Sequence, residues 1–445
     1  MNTPICDFVR RYIADDALRL HMPGHKGISL LGMEPRDITE IDGADSLYEA
    51  GGIIRESEGN AGRLFGCHTF YSTEGSSQCI RAMLYLVLLY ARHHERKPLI
   101  AAARNVHKTF LSAAALLDVD VQWLDPAQPD SYLSCRLSAD DLDEMLSTAA
   151  ELPAAVYLTS PDYLGTVADV DAIAKVCHRY GVLLLVDNAH GAYLKFLQPS
   201  RHPMDLGADL CCDSAHKTLP VLTGGAYLHI SYQAPAAFSQ QAKNALALFG
   251  STSPSYLILQ SLDAANAYLF NGYASRLAAF VQEVQRLKDK LLSKGYVLRG
   301  GEPLKLTLCT KPYGYHGREF ADLLLEKNVV CEFSDPDFVV LMLTPETGRD
   351  GLETLERVLL SVSSQPAVTE EPPAYHRCEQ VTSIRNATLS ACETVSVEHS
   401  VGRVLAVASV SCPPAVPIVV CGERIDKEAQ NCFSYYGITE CTVMV

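Results

Sequence analysis

The sequence predicts an α/β chain, with a mainly parallel sheet in a large domain followed by a smaller α+β C-terminal domain. Three observations carry this. Between residues 58 and 230 short apolar runs alternate with helix-periodic segments, as in a parallel sheet covered by helices on both faces. Residues 255–294 are helical for most of their length and lead into a shorter strand-and-helix region. Finally, Leu183-Leu184-Leu185-Val186 is a continuous apolar run of the kind a fully buried strand shows, and it closes on an acid, Asp187.

In chain order, residues 1–30 read as an arm ending in the turn-rich Leu20-His21-Met22-Pro23-Gly24-His25-Lys26-Gly27. Apolar spacing near 3.6 residues predicts helices over Glu58–Cys67, Gln78–Arg92, His107–Leu117, Ala139–Thr148 and Val170–Tyr180. Between them, short apolar runs predict strands at Thr69–Ser72, Pro98–Ala102, Val119–Leu124, Ala154–Leu158 and Val182–Val186, with Ala208–Cys212 and Ala226–Ile230 closing the set. Gly272 marks a break in the helical stretch Ser255–Lys294. The smaller unit reads as strands Lys305–Cys309, Val329–Phe333 and Phe338–Leu343 with helices His316–Lys327 and Leu352–Val362. After a Pro- and Ser-rich linker near 363–373 come a helix around Cys378–Glu393, a strand Val404–Ser409, the turn Pro413-Pro414-Ala415-Val416-Pro417 and a strand-like tail. The organisation is therefore an arm and interface segment (1–57), a large domain with its bridging helix (58–295) and a C-terminal α+β domain (296–445).

A chain of 445 residues, 48% hydrophobic and 20% charged, is an ordinary globular composition with room for two or three domains. The net charge of −15 argues against a nucleic-acid partner and suits a small cationic one. Charged residues interrupt Met1–Leu20 and no apolar run approaches 18 residues, so neither a signal peptide nor a membrane span is expected. Fifteen cysteines are scattered, many inside apolar runs (Cys79, Cys177, Cys211, Cys212, Cys309), with no C-x-x-C pair. That pattern predicts reduced thiols in a cytoplasmic protein and no metal.

The chemistry is concentrated at Ser214-Ala215-His216-Lys217-Thr218, where Lys217 follows Asp187 by 30 residues. A lysine amine in a small-polar turn and a carboxylate at a strand end suit pyridoxal phosphate: the amine forms an imine with its aldehyde, and the carboxylate pairs with its pyridinium nitrogen. Gly75-Ser76-Ser77 before a long helix could cradle the phosphate, Gly75 by close backbone approach and the serines by hydroxyls and amides at a helix N-terminus. Ser-Ser before a helix is by itself an ordinary N-cap. Ser214 and His216 flank the lysine and could converge on the same phosphate, and His107, after a short strand, could stack on the ring.

In this order the motifs resemble the fold-type-I decarboxylases of ornithine, lysine and arginine, in the shorter bacterial form without an N-terminal receiver-like domain. Ser214-Ala215-His216-Lys217-Thr218-Leu219-Pro220 is the most specific match, since a histidine directly before the lysine is unusual among fold-type-I families. The segments His21–Gly27, Asp37–Glu40 through Gly52–Glu56, Asn105–Lys108, Thr159–Gly165, Asp187-Asn188-Ala189-His190-Gly191, Thr252–Tyr256, Val401–Arg403 and Pro413–Pro417 with Gly422-Glu423 follow the family's order over nearly the whole chain. The departures are Glu74 in the phosphate loop, Asn188 for the usual Glu, Gly224 where the family carries Gln, and Cys421 for the usual Pro.

The resemblance implies the aspartate-aminotransferase-type (PLP-dependent transferase-like) fold. It also implies Lys217 as the lysine that carries the cofactor, Asp187 at the ring nitrogen and His107 stacked on the ring with Ala189 opposite. Gly75, Ser76, Ser77, Ser214, His216 and, from a second subunit, Thr252 would hold the phosphate, with His190 in the same cofactor set. It implies a homodimer or larger even-numbered assembly that decarboxylates arginine, lysine or ornithine to a polyamine-type amine, with Lys217 or His216 returning the proton to Cα. Asp42, Asp45 and Glu49 are candidate partners for the distal cation of the substrate. Two alternatives stay open: another fold-type-I enzyme (aminotransferase, aldolase or lyase), for which Arg318, Arg349 or Arg403 could bind a carboxylate, and a non-catalytic relative that binds the cofactor.

Overall fold

The structure, a computed structural model, describes residues 1–125, 131–408 and 415–445. Its first half contains helix α1 (Pro4–Ala14), helix α2 (Ile53–Phe65), strand β1 (His68–Ser72), helix α3 (Gly75–His93), strand β2 (Leu99–Ala103), helix α4 (Lys108–Leu117), strand β3 (Asp120–Leu124), helix α5 (Ala139–Thr148), strand β4 (Ala155–Thr159), helix α6 (Val170–Arg179), strand β5 (Leu183–Asp187) and strand β6 (Leu210–Asp213). A one-turn helix α7 (Ala215–Thr218), strand β7 (Ala226–Ile230) and helices α8 (Ala236–Ala247), α9 (Tyr256–Phe270) and α10 (Tyr273–Lys294) follow. The chain divides into two compact units, residues 1–95 with 170–277 and residues 96–169 with 278–445.

Parallel strand pairs in both units bear out the predicted α/β fold class. In the first unit the order is β1-β7-β6-β5, with β5 and β6 parallel and β7 antiparallel to both of its neighbours. In the second unit β2 lies between β4 and β3, parallel to both. Every residue of β5 is buried, which is why its sequence is a continuous apolar run ending on an acid. The predicted boundaries of these elements agree with the observed ones to within a few residues. The larger difference is at α2, which starts at Ile53, five residues before the expected Glu58. The reason is a long-range cap: Asp45 accepts the amide N–H groups of Gly52 (2.8 Å) and Ile54 (3.0 Å).

The rest of the second unit holds a four-stranded antiparallel sheet in which β8 (Val297–Arg299), β9 (Lys305–Cys309), β10 (Phe333–Ser334) and β11 (Phe338–Met342) lie in the order β10-β11-β9-β8. Helices α11 (Gly317–Glu326) and α12 (Gly348–Ser361) accompany it. The expected strand Val329–Phe333 shrinks to Phe333–Ser334, because Val329 turns back to close α11 through an N–H bond to Leu324 O at 2.9 Å.

The helix expected over Cys378–Glu393 is not formed. Its place is taken by strand β12 (Glu379–Gln380), a short helix α13 (Ile384–Thr388) capped by Ser383, and strand β13 (Cys392–Ser396). The run Thr394-Val395 prefers the extended state and pairs with the C-terminal strand, a non-local partner that local periodicity does not reveal. Strands β14 (Leu405–Val407) and β15 (Glu423–Arg424), helix α14 (Lys427–Tyr435) and strand β16 (Glu440–Met444) complete the chain, and Leu405, Ile425, Phe433 and Val443 belong to a hydrophobic cluster of this segment's own. Ser409 of the expected strand and Pro413-Pro414 of the proline turn lie outside the described residues. Among those described, no helix is long and apolar enough to cross a membrane, and fourteen cysteines are free thiols.

Candidate active site

In the first unit three strand ends bring the predicted groups together. β5 delivers Asp187, which registers with Cys212 on β6, and β6 runs directly into Ser214 and the short turn bearing Lys217. Asp187 is 2% exposed. Its Oδ1 accepts the Ala189 amide at 3.2 Å and the Cys212 thiol at 3.6 Å, so the carboxylate is fixed from its own loop and from the next strand. Nζ of Lys217 lies 3.0 Å from Nε2 of His190, a histidine buried just past β5. His216 is half-buried with Nδ1 3.0 Å from Gly225 O. Its pKa is lowered, by burial first; the Gly225 bond opposes this and the Lys217 charge adds to it.

The phosphate loop joins β1 to α3. Ser214 Oγ donates to Ser76 Oγ at 2.8 Å, so the structure brings the hydroxyls of the two loops together. Gly75 has φ +71 and no atom within 4 Å of a Cβ placed on it, which leaves an open concavity at the start of the 19-residue helix α3. No side chain caps that helix, and Ser77 lies half-buried in its first turn. The N–H of Gly75 donates to Gly224 O at 2.7 Å. Gly224 (φ +98) comes so close that a Cβ there would meet Thr73 O at 2.9 Å. The departure at Gly224 is therefore a packing requirement of this loop. Glu74 turns its carboxylate to the amide of Ser251, beside Thr252, and Gln78 braces the helix start through Tyr48 Oη (2.8 Å) and Leu246 O (2.9 Å).

His107, in the second unit, is the N-cap of α4, its Nδ1 accepting the Thr109 amide at 3.1 Å. Asp45 spends its carboxylate on backbone amides, as described, whereas Asp42, Glu49 and Thr252 are exposed. Arg318 donates to Tyr436 O, Arg349 pairs with Glu353 and Arg403 with Glu393, so all three candidate arginines are engaged within the second unit. Sequence reasoning missed Cys212, Gln78 and Tyr48. Cys212 is the register partner of Asp187, which strand pairing reveals and sequence alone does not.

An amine, a fixed buried carboxylate and an uncapped helix start with two convergent hydroxyls fit the amine, ring-nitrogen and phosphate contacts that pyridoxal phosphate requires. Comparison with known proteins agrees. Residues 3–307 match the family described as Orn/Lys/Arg decarboxylase, major domain, and residues 368–442 its C-terminal domain. The uncharacterized protein YaaO of Bacillus subtilis is 28% identical and covers 96% of this chain and 93% of its own length. An arginine decarboxylase of Halalkalibacterium halodurans is 26% identical, covering 96% of the chain and 91% of that protein. Lysine decarboxylase A from Pseudomonas aeruginosa superposes with a TM-score of 0.80 at 18% identity, over 98% of this chain and 76% of that one. At that identity the likeness shows the fold alone.

Proposed function

The chain belongs to the Orn/Lys/Arg decarboxylase family, and from that premise we propose that it decarboxylates arginine, in preference to lysine or ornithine, with pyridoxal phosphate held in its first unit. The preference for arginine is supported by the relatives that match along nearly the whole chain and are named arginine decarboxylase. The observation that carries the cofactor assignment is that Asp187 ends β5 while Lys217 lies in the short helix after β6, its paired neighbour, where Ser214 meets Ser76.

When bound, the cofactor supplies an electron sink conjugated to the α-carbon of the substrate. Lys217 would provide the amine that holds it. The charge of Asp187 keeps the pyridine nitrogen protonated, and the Ala189 amide and Cys212 thiol fix the orientation of that carboxylate. Ser76, Ser77 and Ser214 receive the phosphate at the start of α3, and Glu74 directs its own charge to Ser251 instead. Lys217 would hold the proton destined for Cα, with His190, 3.0 Å from its Nζ, as the group it exchanges with. Asp42 and Glu49 are the exposed acids available to a distal guanidinium.

Incubating the protein and pyridoxal phosphate with arginine, lysine and ornithine tests this. Carbon dioxide and agmatine from arginine, faster than product from the other two, is the expected result. Amino-group transfer without carbon dioxide overturns the reading in favour of an aminotransferase.

A further inference from the structure

Behind Asp187 lies a polar cluster that this mechanism leaves unused. Asp213, the last residue of β6, and the histidines His202 and His229 are each 0% exposed. Oδ2 of Asp213 lies 3.0 Å from Nε2 of His202 and 3.0 Å from Nε2 of His229, while Oδ1 accepts the side-chain amide of Asn188 at 2.6 Å. Both imidazoles direct Nε2 at one carboxylate oxygen, so the three side chains form one hydrogen-bond network, with the Cys211 thiol 3.8 Å from Oδ1.

The two imidazoles are not equivalent. Nδ1 of His202 accepts the amide of Met204 at 3.3 Å, so this ring carries its single proton on Nε2. Nδ1 of His229 instead faces Thr69 Oγ1 at 2.9 Å and Cys67 Sγ at 3.5 Å. A hydroxyl accepts as readily as it donates, so His229 has a partner for a second ring proton.

We infer that Asp213 is a positioning residue for Asp187 and Ser214: as a net-neutral ion pair with protonated His229, it pins the ends of β5 and β6 that carry them. The inference rests on the cofactor reading above. The mechanical link is short. The Asn188 amide donates to Cys212 O at 3.0 Å and its side chain to Asp213, so the residue after Asp187 is bound twice to the β6 end that precedes Ser214. An electrostatic link runs through Cys212, whose thiol donates to Asp187 and which precedes Asp213 on β6: an uncompensated carboxylate there favours the protonated form of Asp187, in which it cannot pair with a pyridinium.

Burial opposes charging His229, but Cys67 and Asp213 outweigh it and raise its pKa; for Asp213, burial is outweighed by the two histidines, which hold it well below the usual carboxylate range. Besides His202 and Cys67, the titratable groups shown to interact with the pair are Tyr227 on β7, Cys211 and Cys212 on β6 and Cys79 on α3. Because the pKa of His229 is raised, the ion pair is intact below the ordinary histidine value and is lost as pH climbs through the folded-state value. Its loss therefore shows on the alkaline side.

The test compares wild type, Asp213→Asn, His229→Gln and the double variant, reading pyridoxal phosphate affinity by absorbance titration alongside kcat and KM. Each single change unbalances the buried charge and should weaken cofactor binding and kcat about tenfold, with KM little altered. The double variant restores neutrality and should recover most of that loss. Additive losses mean a steric role and overturn the inference, as do single variants equal to wild type. If the single variants do not fold, the near-isosteric Thr69→Val removes the hydroxyl that accepts from protonated His229. The alkaline limb of cofactor affinity must then move to lower pH, and an unmoved limb overturns the inference. A wild type that takes up no pyridoxal phosphate overturns the cofactor reading, and this inference with it.

Discussion

Nζ of Lys217 and Nε2 of His190 stand 3.0 Å apart, one group following β6 and the other β5. Strand pairing thus sets a potential proton exchange between two side chains 27 positions apart in sequence. Borohydride reduction of the holoenzyme should trap the cofactor on Lys217, identified by peptide mass, and Lys217→Ala should lose the visible absorption band. His190→Ala should keep that capture yet lower kcat by roughly 10²-fold, the usual cost of removing a positioned acid–base group. Trapping on another lysine sinks the assignment.

Asp187→Asn keeps the shape of the side chain and its bond to the Ala189 amide, while removing the charge that holds the ring nitrogen protonated. Cofactor binding should survive in part through Lys217 and the phosphate loop. The electron sink acts mainly in the transition state, so kcat should fall roughly 10²-fold or more, about 3 kcal/mol, with a much smaller change in KM. Turnover near the wild-type rate places the ring-nitrogen acid elsewhere.

What the sequence reveals follows from the range of the interactions. Asp187 is legible because Leu183–Val186 is fully buried and therefore apolar throughout, and Lys217 is legible because its turn is local. The meeting of Ser76 with Ser214 spans 138 positions and is legible only through the chemistry of a shared phosphate, since no local pattern joins the two loops. Asp213, His202 and His229 share no local pattern; β6, β7 and the turn at His202 bring them together from separate parts of the chain. Asp45 illustrates the reverse problem: an acid in a loop reads as a substrate partner until the helix it caps is seen.

Glu423, the last residue of the C-terminal signature, has a structural position within the second unit. It is buried against Arg104 with Oε2 2.7 Å from Nη2, and it also accepts the Val420 amide at 2.9 Å. The Arg104 guanidinium lies over the Trp123 ring at 4.9 Å. Glu423→Gln leaves a buried guanidinium without its counter-charge and should cost about 3 kcal/mol of stability by chemical denaturation. A loss below 1 kcal/mol means that the pair is not desolvated as drawn.

The N-terminal arm exposes Leu18, Leu20, Met22, Ile28, Leu30 and Leu31, each between 67% and 90% accessible. So many large apolar side chains in one segment are unusual for a free surface and suit burial against a second copy of the chain. If Thr252 reaches the phosphate of a partner's site, Lys217→Ala and Thr252→Ala subunits are each impaired alone but complement when mixed. Random exchange makes half of the dimers mixed, each with one intact site of two, so an equimolar mixture should recover about a quarter of wild-type activity above the residual rates. Leu20→Asp with Leu31→Asp should shift the assembly toward monomer on sedimentation and lose activity in parallel. A fully active monomer, or a mixture no better than the mean of its parts, rules out the shared site.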